Sequence, residues 1–368
     1  MKKTKPIAVI NQIHLLKGLA IIGVICLHLL ANIKAPIYFK EPWQFWAIFF
    51  DQLSRFCVPL FVSVSGFALY SGYAQVFGSS SSISYIVSFW YRRFSKLLPG
   101  FIVWSLLISL SIKAVGEWQW VGIFDNYLFK IILGQADYHL YFVPMILQLY
   151  LLFPFFVFFM KRRPLTILFM AGLWHFLLIS FIDHPQVASL FNQKIITDQL
   201  QYLFFGTWIW YFVLGMFFAG RNDNEVEIGR RVSLLKSMKL FLAVVSFLTL
   251  SFSVTVAQSK IQNGLDPIIA LKYTTPLATL FSTFVVMFLL QDLLDLVRSN
   301  YQLGRHRFQL LVKPLIVIGK QSFLIYLTHT LFLRIFFSYY YQIVSIPKLI
   351  LPSMLLIFGL YLSRKLKI

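Results

Sequence analysis

IHLLKGLAIIGVICLHLLANI, residues 13–33, decides the fold. A helix rises 1.5 Å per residue, and a bilayer core about 30 Å thick asks for about 20 predominantly apolar residues. This stretch meets that length with Lys17 as its one lysine. Nine more segments fit the same description: 45–71, 98–114, 139–160, 165–182, 203–219, 240–257, 273–292, 315–337 and 348–363. The composition agrees, being 59% hydrophobic and 12% charged with mean hydropathy +0.75. An ordinary soluble domain carries about 25% charged residues. Disorder needs low hydrophobicity and is excluded. The expected fold is an all-α polytopic membrane protein of about ten transmembrane helices, forming one domain over residues 1–368.

The net charge of +20 raises the question of nucleic acid. The Lys and Arg residues sit in short clusters between apolar stretches rather than along one face, so no nucleic-acid partner is expected. Lys and Arg are retained on the cytoplasmic side of a membrane. With the N-terminus inside, the inner clusters are Lys2, Lys3 and Lys5; Arg92, Arg93 and Lys96; Lys161, Arg162 and Arg163; Arg221 to Lys239; Arg298 to Lys313; and Arg364 to Lys367. About 21 of the 33 basic residues then fall inside, about 8 outside and about 4 within helices. Ten spans with both termini cytoplasmic follow. A cleaved signal peptide is rejected, because no small-residue cleavage site follows MKKTKP and its apolar run. Residues 71–85, SGYAQVFGSSSSISY, read as a flexible loop. Residues 118–134 read as an interfacial helix. Cys26 and Cys57 lie in apolar runs with neither metal nor disulfide spacing and read as packing residues.

Polar side chains inside a membrane are costly, which makes them candidates for function. Lys17 and His28 are eleven residues apart, three helical turns plus about 20°, so they share one face about 16 Å apart. Lys17 reads either as a snorkelling lysine or as a site residue. His28 reads either as a packing histidine or as a general base. Asp51 and Arg55, four apart, can pair on one helix face, with Arg55 either structural or turned to a site. His139 and His329 fall at a depth similar to His28. No metal is expected, since no acidic or Cys partner is evident beside these histidines. His175, His184 and His306 read as packing or loop residues. Trp43, Trp118 and Trp120 are aromatic platforms on which a sugar can stack.

A basic residue, ten residues, then histidine in the first helix resembles the signature of acyltransferase family 3, bacterial membrane acyltransferases of surface glycans. The likeness continues in order along the chain: SRFCVPLFVSVSGFALYSGY (54–73), SFWYRRFSKLLPGFIVWS (88–105), YHLYFVPMILQLYLLFPFF (138–156) and GKQSFLIYLTHTLFL (319–333). Three positions depart from the family's commoner residues. His14 stands where Asp is frequent, Lys17 where Arg is commoner, and Tyr141 where Trp often follows His-Leu.

The resemblance implies transfer of an acyl group, acetyl by default, from acyl-coenzyme A to a hydroxyl of a cell-surface polysaccharide or lipid-linked sugar. It implies residence in the bacterial plasma membrane. Acyl-coenzyme A is then a co-substrate, and no bound cofactor is expected. Lys17 and His28 are the expected catalytic residues. Arg92, Arg93 and Lys96 are the expected grip on the anionic donor, with a plain topology anchor as the competing reading. Arg55, His139, Tyr141, Tyr326 and His329 are the expected acceptor pocket. Other membrane proteins of glycan synthesis are the further partners this implies. Two rival readings are a polysaccharide or small-molecule transporter and a structural subunit of a glycan-synthesis complex.

Overall fold

The computed structural model describes residues 7–32, 43–79, 83–115, 127–184, 201–221, 228–264, 275–302 and 306–340. Among them the secondary structure is entirely helical. The helices are α1 (Ile7–Asn32), α2 (Trp43–Ser54), α3 (Cys57–Ser79), α4 (Ile83–Val115), α5 (Tyr127–Ile132), α6 (Phe142–Arg162), α7 (Pro164–Asp183), α8 (Ile209–Arg221), α9 (Ile228–Gln262), α10 (Pro276–Gln302), α11 (His306–Lys320) and α12 (Ser322–Tyr340). The sequence places their starts. Pro164 and Pro276 each open a helix, where a missing N–H costs nothing. The Thr275 hydroxyl caps α10 by accepting the amide of Ala278 at 3.2 Å. Pro59, in the first turn of α3, is tolerated for the same reason.

Five helical stretches are long and apolar enough to cross a membrane: Ile10–Leu30, Gln44–Phe77, Phe142–Arg162, Pro164–Ile182 and Leu240–Gln262. They coincide with five of the segments read from the sequence. The stretch 315–337 departs from a single straight span. The chain bends by 82° between Val312–Lys320 and Ser322–Leu333, and a sixth span results if the bent pair counts as one. Segments 203–219 and 273–292 overlap the shorter apolar helices Ile209–Gly220 and Pro276–Gln291. Segment 98–114 lies within the long α4, and segment 348–363 lies outside the described residues. So do Lys2, Lys3, Lys5 and the terminal basic cluster, as do Trp118 and Trp120.

The outward surface is apolar. Leu165, Phe169, Leu173, Leu177 and Phe181 repeat every four residues along α7, and all five are exposed. Four-residue spacing puts them on one helix face. On α9, Leu240, Phe241, Val244, Phe247 and Leu248 are exposed too. A soluble monomer rarely shows a contiguous apolar face of this size, whereas lipid solvates one without cost.

Inside, glycines set the helix crossings. A Cβ on Gly215 of α8 would sit 1.8 Å from the Ser63 carbonyl oxygen, and one on Gly66 of α3 would sit 2.1 Å from that of Phe212. α3 and α8 therefore pack backbone against backbone, the small-residue mode of membrane helices. α1 and α11 cross in the same way through Gly18 and Gly319. The core between them holds Phe67, Phe89, Phe101, Phe153 and Phe212, all fully buried.

Residues 71–79, expected as the start of a flexible loop, continue α3 as helix. The Tyr73 and Phe77 rings pack on Phe89 at 5.0 and 5.5 Å, and Phe77 also meets Phe153 at 5.7 Å. These aromatic contacts outweigh the weak helix preference of Gly and Ser.

Candidate active site

One cavity of about 520 Å³ opens among α1, α3, α4, α6 and the α11–α12 bend. Its wall gathers side chains that are far apart in sequence. Lys17 and His28 come from α1, Arg93 and Lys96 from α4, and Tyr326 from α12. Arg55 comes from the break between α2 and α3, and His139 and Tyr141 from the turn before α6. Eight of the ten residues singled out in the sequence thus line a single space. Arg92 does not. It is exposed on the far side of α4, its guanidinium over the Tyr85 ring at 5.7 Å. His329 does not line the cavity either, but stands buried directly behind it.

The two ends of the cavity differ. At one end Lys17, Arg93 and Lys96 are joined by His14 and Lys320, two residues the sequence reading left out of the site. Lys320 had only its place in the GKQSF stretch to mark it. It is drawn in by the bend at Gln321, because Gly319 lets α11 approach the His14 carbonyl. Arg93 stacks on Tyr73 at 4.9 Å and Phe89 at 5.7 Å, which fixes the guanidinium plane while its charge faces the cavity.

The other end is a cluster of imidazoles. The His28 ring lies 5.0 Å from His329, 6.2 Å from His139 and 5.0 Å from Tyr138. His139 and His329 are 4.9 Å apart, and His139 is 5.3 Å from Tyr326. The Tyr326 hydroxyl donates to the His139 carbonyl at 2.5 Å, which joins α12 to the turn carrying His139. His329 Nδ1 faces the carbonyls of Tyr326 at 2.7 Å and Ile325 at 3.2 Å. A carbonyl only accepts, so Nδ1 of His329 carries the hydrogen and Nε2 is its acceptor atom.

The turn before α6 depends on Gly134. Its φ is +66°, and a Cβ there would meet the Tyr141 Cα at 2.6 Å, so only glycine fits. The turn brings in Asp137, an acidic neighbour the sequence did not reveal. Its Oδ1 accepts the Tyr138 amide at 2.8 Å, and its Oδ2 lies 3.4 Å from His139 Nδ1. His139 was expected to start a helix, but it belongs to this turn, and α6 begins at Phe142.

Arg55 is held by Asp51 through contacts of 2.6 and 2.9 Å. Gln52 donates to the same Asp51 oxygen at 3.2 Å, and Ser253 of α9 donates in turn to the Gln52 side-chain oxygen Oε1. A buried ion pair needs such extra hydrogen bonds. Arg55 is thus both structural and part of the cavity wall. Tyr202 reaches the wall because Gln148 of α6 ties down residues 203–205. Tyr202 then packs on Tyr141 at 5.5 Å. His175 is buried against Tyr211 at 5.2 Å, away from the cavity. Among the described residues, no group of three or more His, Cys, Asp or Glu is arranged to hold a metal.

Between the two ends the lining is apolar, with Val24, Val58, Phe61, Phe142, Ile146 and Phe323. Fold and cavity together define a helical membrane protein with an internal cavity, cationic at one end and imidazole-rich at the other. A family model described as an acyltransferase domain matches residues 10–363, and the chain belongs to acyltransferase family 3. It is a membrane acyltransferase. No curated protein and no solved structure matches it.

Proposed function

We propose that the protein transfers an acyl group, acetyl by default, from acyl-coenzyme A to a hydroxyl of a surface polysaccharide or lipid-linked sugar. It does so in the bacterial plasma membrane, which it crosses several times, with both termini in the cytoplasm. The observation that carries this reading is the single cavity joining Lys17, Arg93, Lys96 and Lys320 to His28. Coenzyme A carries several phosphate charges, and arginine forks match phosphate oxygens. The cationic end suits that ligand, and its Lys and Arg side chains favour the cytoplasmic side.

His28 takes the proton of the acceptor hydroxyl as its oxygen attacks the thioester carbon. The C–O bond forms, the C–S bond breaks, and the proton passes to the leaving thiolate. The products are the ester and free coenzyme A. Lys17, about 16 Å from His28 along the same helix, orients the donor through its phosphate-bearing end. Arg55, Tyr141 and the buried histidines form the acceptor side.

The experiment is transfer of labelled acetyl from acetyl-coenzyme A to a mixed bacterial glycan acceptor by purified protein in nanodiscs. Product label that appears with wild type and vanishes with His28→Ala supports the reading. Glycan movement across proteoliposomes without label transfer replaces it with a transporter.

A further inference from the structure

The mechanism above makes no use of the buried Asp137. The Asp137 side chain is 1% exposed and lies beside His139, whose side chain is 3% exposed. A buried carboxylate is costly unless its oxygens meet hydrogen-bond donors. Oδ1 has the Tyr138 amide, and Oδ2 lies at ion-pair distance, 3.4 Å, from His139 Nδ1 without a formed hydrogen bond between them. An ionised carboxylate only accepts, so the nitrogen facing it carries the hydrogen. The acceptor atom of neutral His139 is then Nε2. His329 is held in the same tautomer by a different partner, the carbonyl of Tyr326. Neither Nε2 has a hydrogen-bond partner in the structure. The two rings are 4.9 Å apart, and both adjoin His28. Tyr138 and Tyr326, both phenols, have their rings against this cluster.

We infer that Asp137 is a positioning residue: it holds His139 as the Nδ1–H tautomer, so that Nε2 of His139, on the cavity wall, is an acceptor for a hydroxyl hydrogen of the incoming sugar, with His329 packed behind it. This rests on the proposed acyl-transfer reading and adds a rule of selection to it. The imidazole end takes a neutral polyhydroxy ligand, whose O–H groups donate. It excludes a phosphate or carboxylate, which brings only lone pairs to that lone pair. Donor and acceptor are thereby kept to their own ends of one cavity. Asp137 itself neither gains nor loses a proton in the reaction.

The decisive variant is Asp137→Asn, which keeps the side chain's size. The Tyr138 amide claims its oxygen, so the amide nitrogen turns a donor toward His139 Nδ1. The ring must then move its hydrogen to Nε2, and an acceptor becomes a donor. This is read directly by ¹⁵N spectra of histidine-labelled protein in nanodiscs, with His139→Gln assigning the signals among the seven histidines. Wild type should show Nδ1–H at His139, and Asp137→Asn should show Nε2–H. In transfer assays Asp137→Asn should raise the apparent acceptor constant or lower kcat about tenfold, the size of one buried polar group left unsatisfied. The apparent constant for acetyl-coenzyme A should not move. Asp137→Asn combined with His139→Ala should be no worse than His139→Ala alone. An unchanged His139 spectrum, or losses that simply add, overturns the inference. The spectrum judges Asp137 without any activity, whereas wild-type protein that transfers no label from acetyl-coenzyme A removes the acyl-transfer reading instead.

Discussion

The cationic and imidazole ends of the cavity use polar side chains in opposite ways. Lys96 and Lys320 are exposed, and His14, Lys17 and Arg93 are half-buried. Charges placed there keep part of their water and cost little. At the other end Asp137, His139, Tyr326 and His329 are all buried, and the Asp137 oxygens and His329 Nδ1 meet partners on nearby backbone or side chains. The first end can hold a mobile, highly charged ligand by field strength. The second can hold a neutral one only by placement of single atoms. Substitutions should therefore act by charge at one end and by geometry at the other.

The largest effect should fall at the imidazole end. His28→Ala should lower the transfer rate about 10²–10⁴-fold, the contribution of a general base. His28→Gln should do little better, since it cannot take a proton. Turnover per folded molecule in nanodiscs checks this, and near wild-type rates would mean that geometry there is not catalytic. Next come the helix crossings that hold both ends in register. A Cβ at Gly319 would lie 1.7 Å from the His14 carbonyl oxygen, a backbone atom that cannot rotate away. Gly319→Ala should force α1 and α11 apart and cost several kcal/mol, as overpacking does. A fall in detergent melting temperature measures it, and an unchanged melt contradicts the close crossing.

A smaller effect tests the cationic end. Arg93→Gln should raise the apparent donor constant about tenfold, with the acceptor constant unmoved. The effect should shrink in high salt, because exposed charges are screened. Equal loss at both substrates would erase the distinction between the two ends. The smallest effect belongs to Arg92→Gln. Its guanidinium lies outside the cavity, so its donor constant should stay within about twofold, as for an ordinary surface substitution. A loss equal to that of Arg93→Gln would mean the donor reaches around α4.

Much of this was legible in the sequence because membrane helices follow simple rules of length and charge. The spans around 13–33, 45–71, 139–160, 165–182 and 240–257 needed only an apolar run. Lys17 and His28 needed only helical spacing. The 82° bend was hidden, because Gly319 and Gln321 do not interrupt the apolar pattern enough to mark it. Lys320 was missed with it. Asp137 carries no signal of its own in the sequence, since only the turn made by Gly134 brings it to His139. Arg92 and Arg93 were indistinguishable in sequence. Adjacent helical residues point about 100° apart, and the fold chose the second.

The aromatic lining has a consequence for the cell. On α12, Phe323 and Tyr326 stand between Lys320 and His329, and Phe142 meets Tyr326 at 5.5 Å and Phe61 at 6.1 Å. A protein with ionisable groups set along its interior could short-circuit an energised membrane by passing protons down them. Phe61, Phe142 and Phe323 have no proton to pass on, so this stretch of the cavity wall adds no link to such a relay of ionisable side chains.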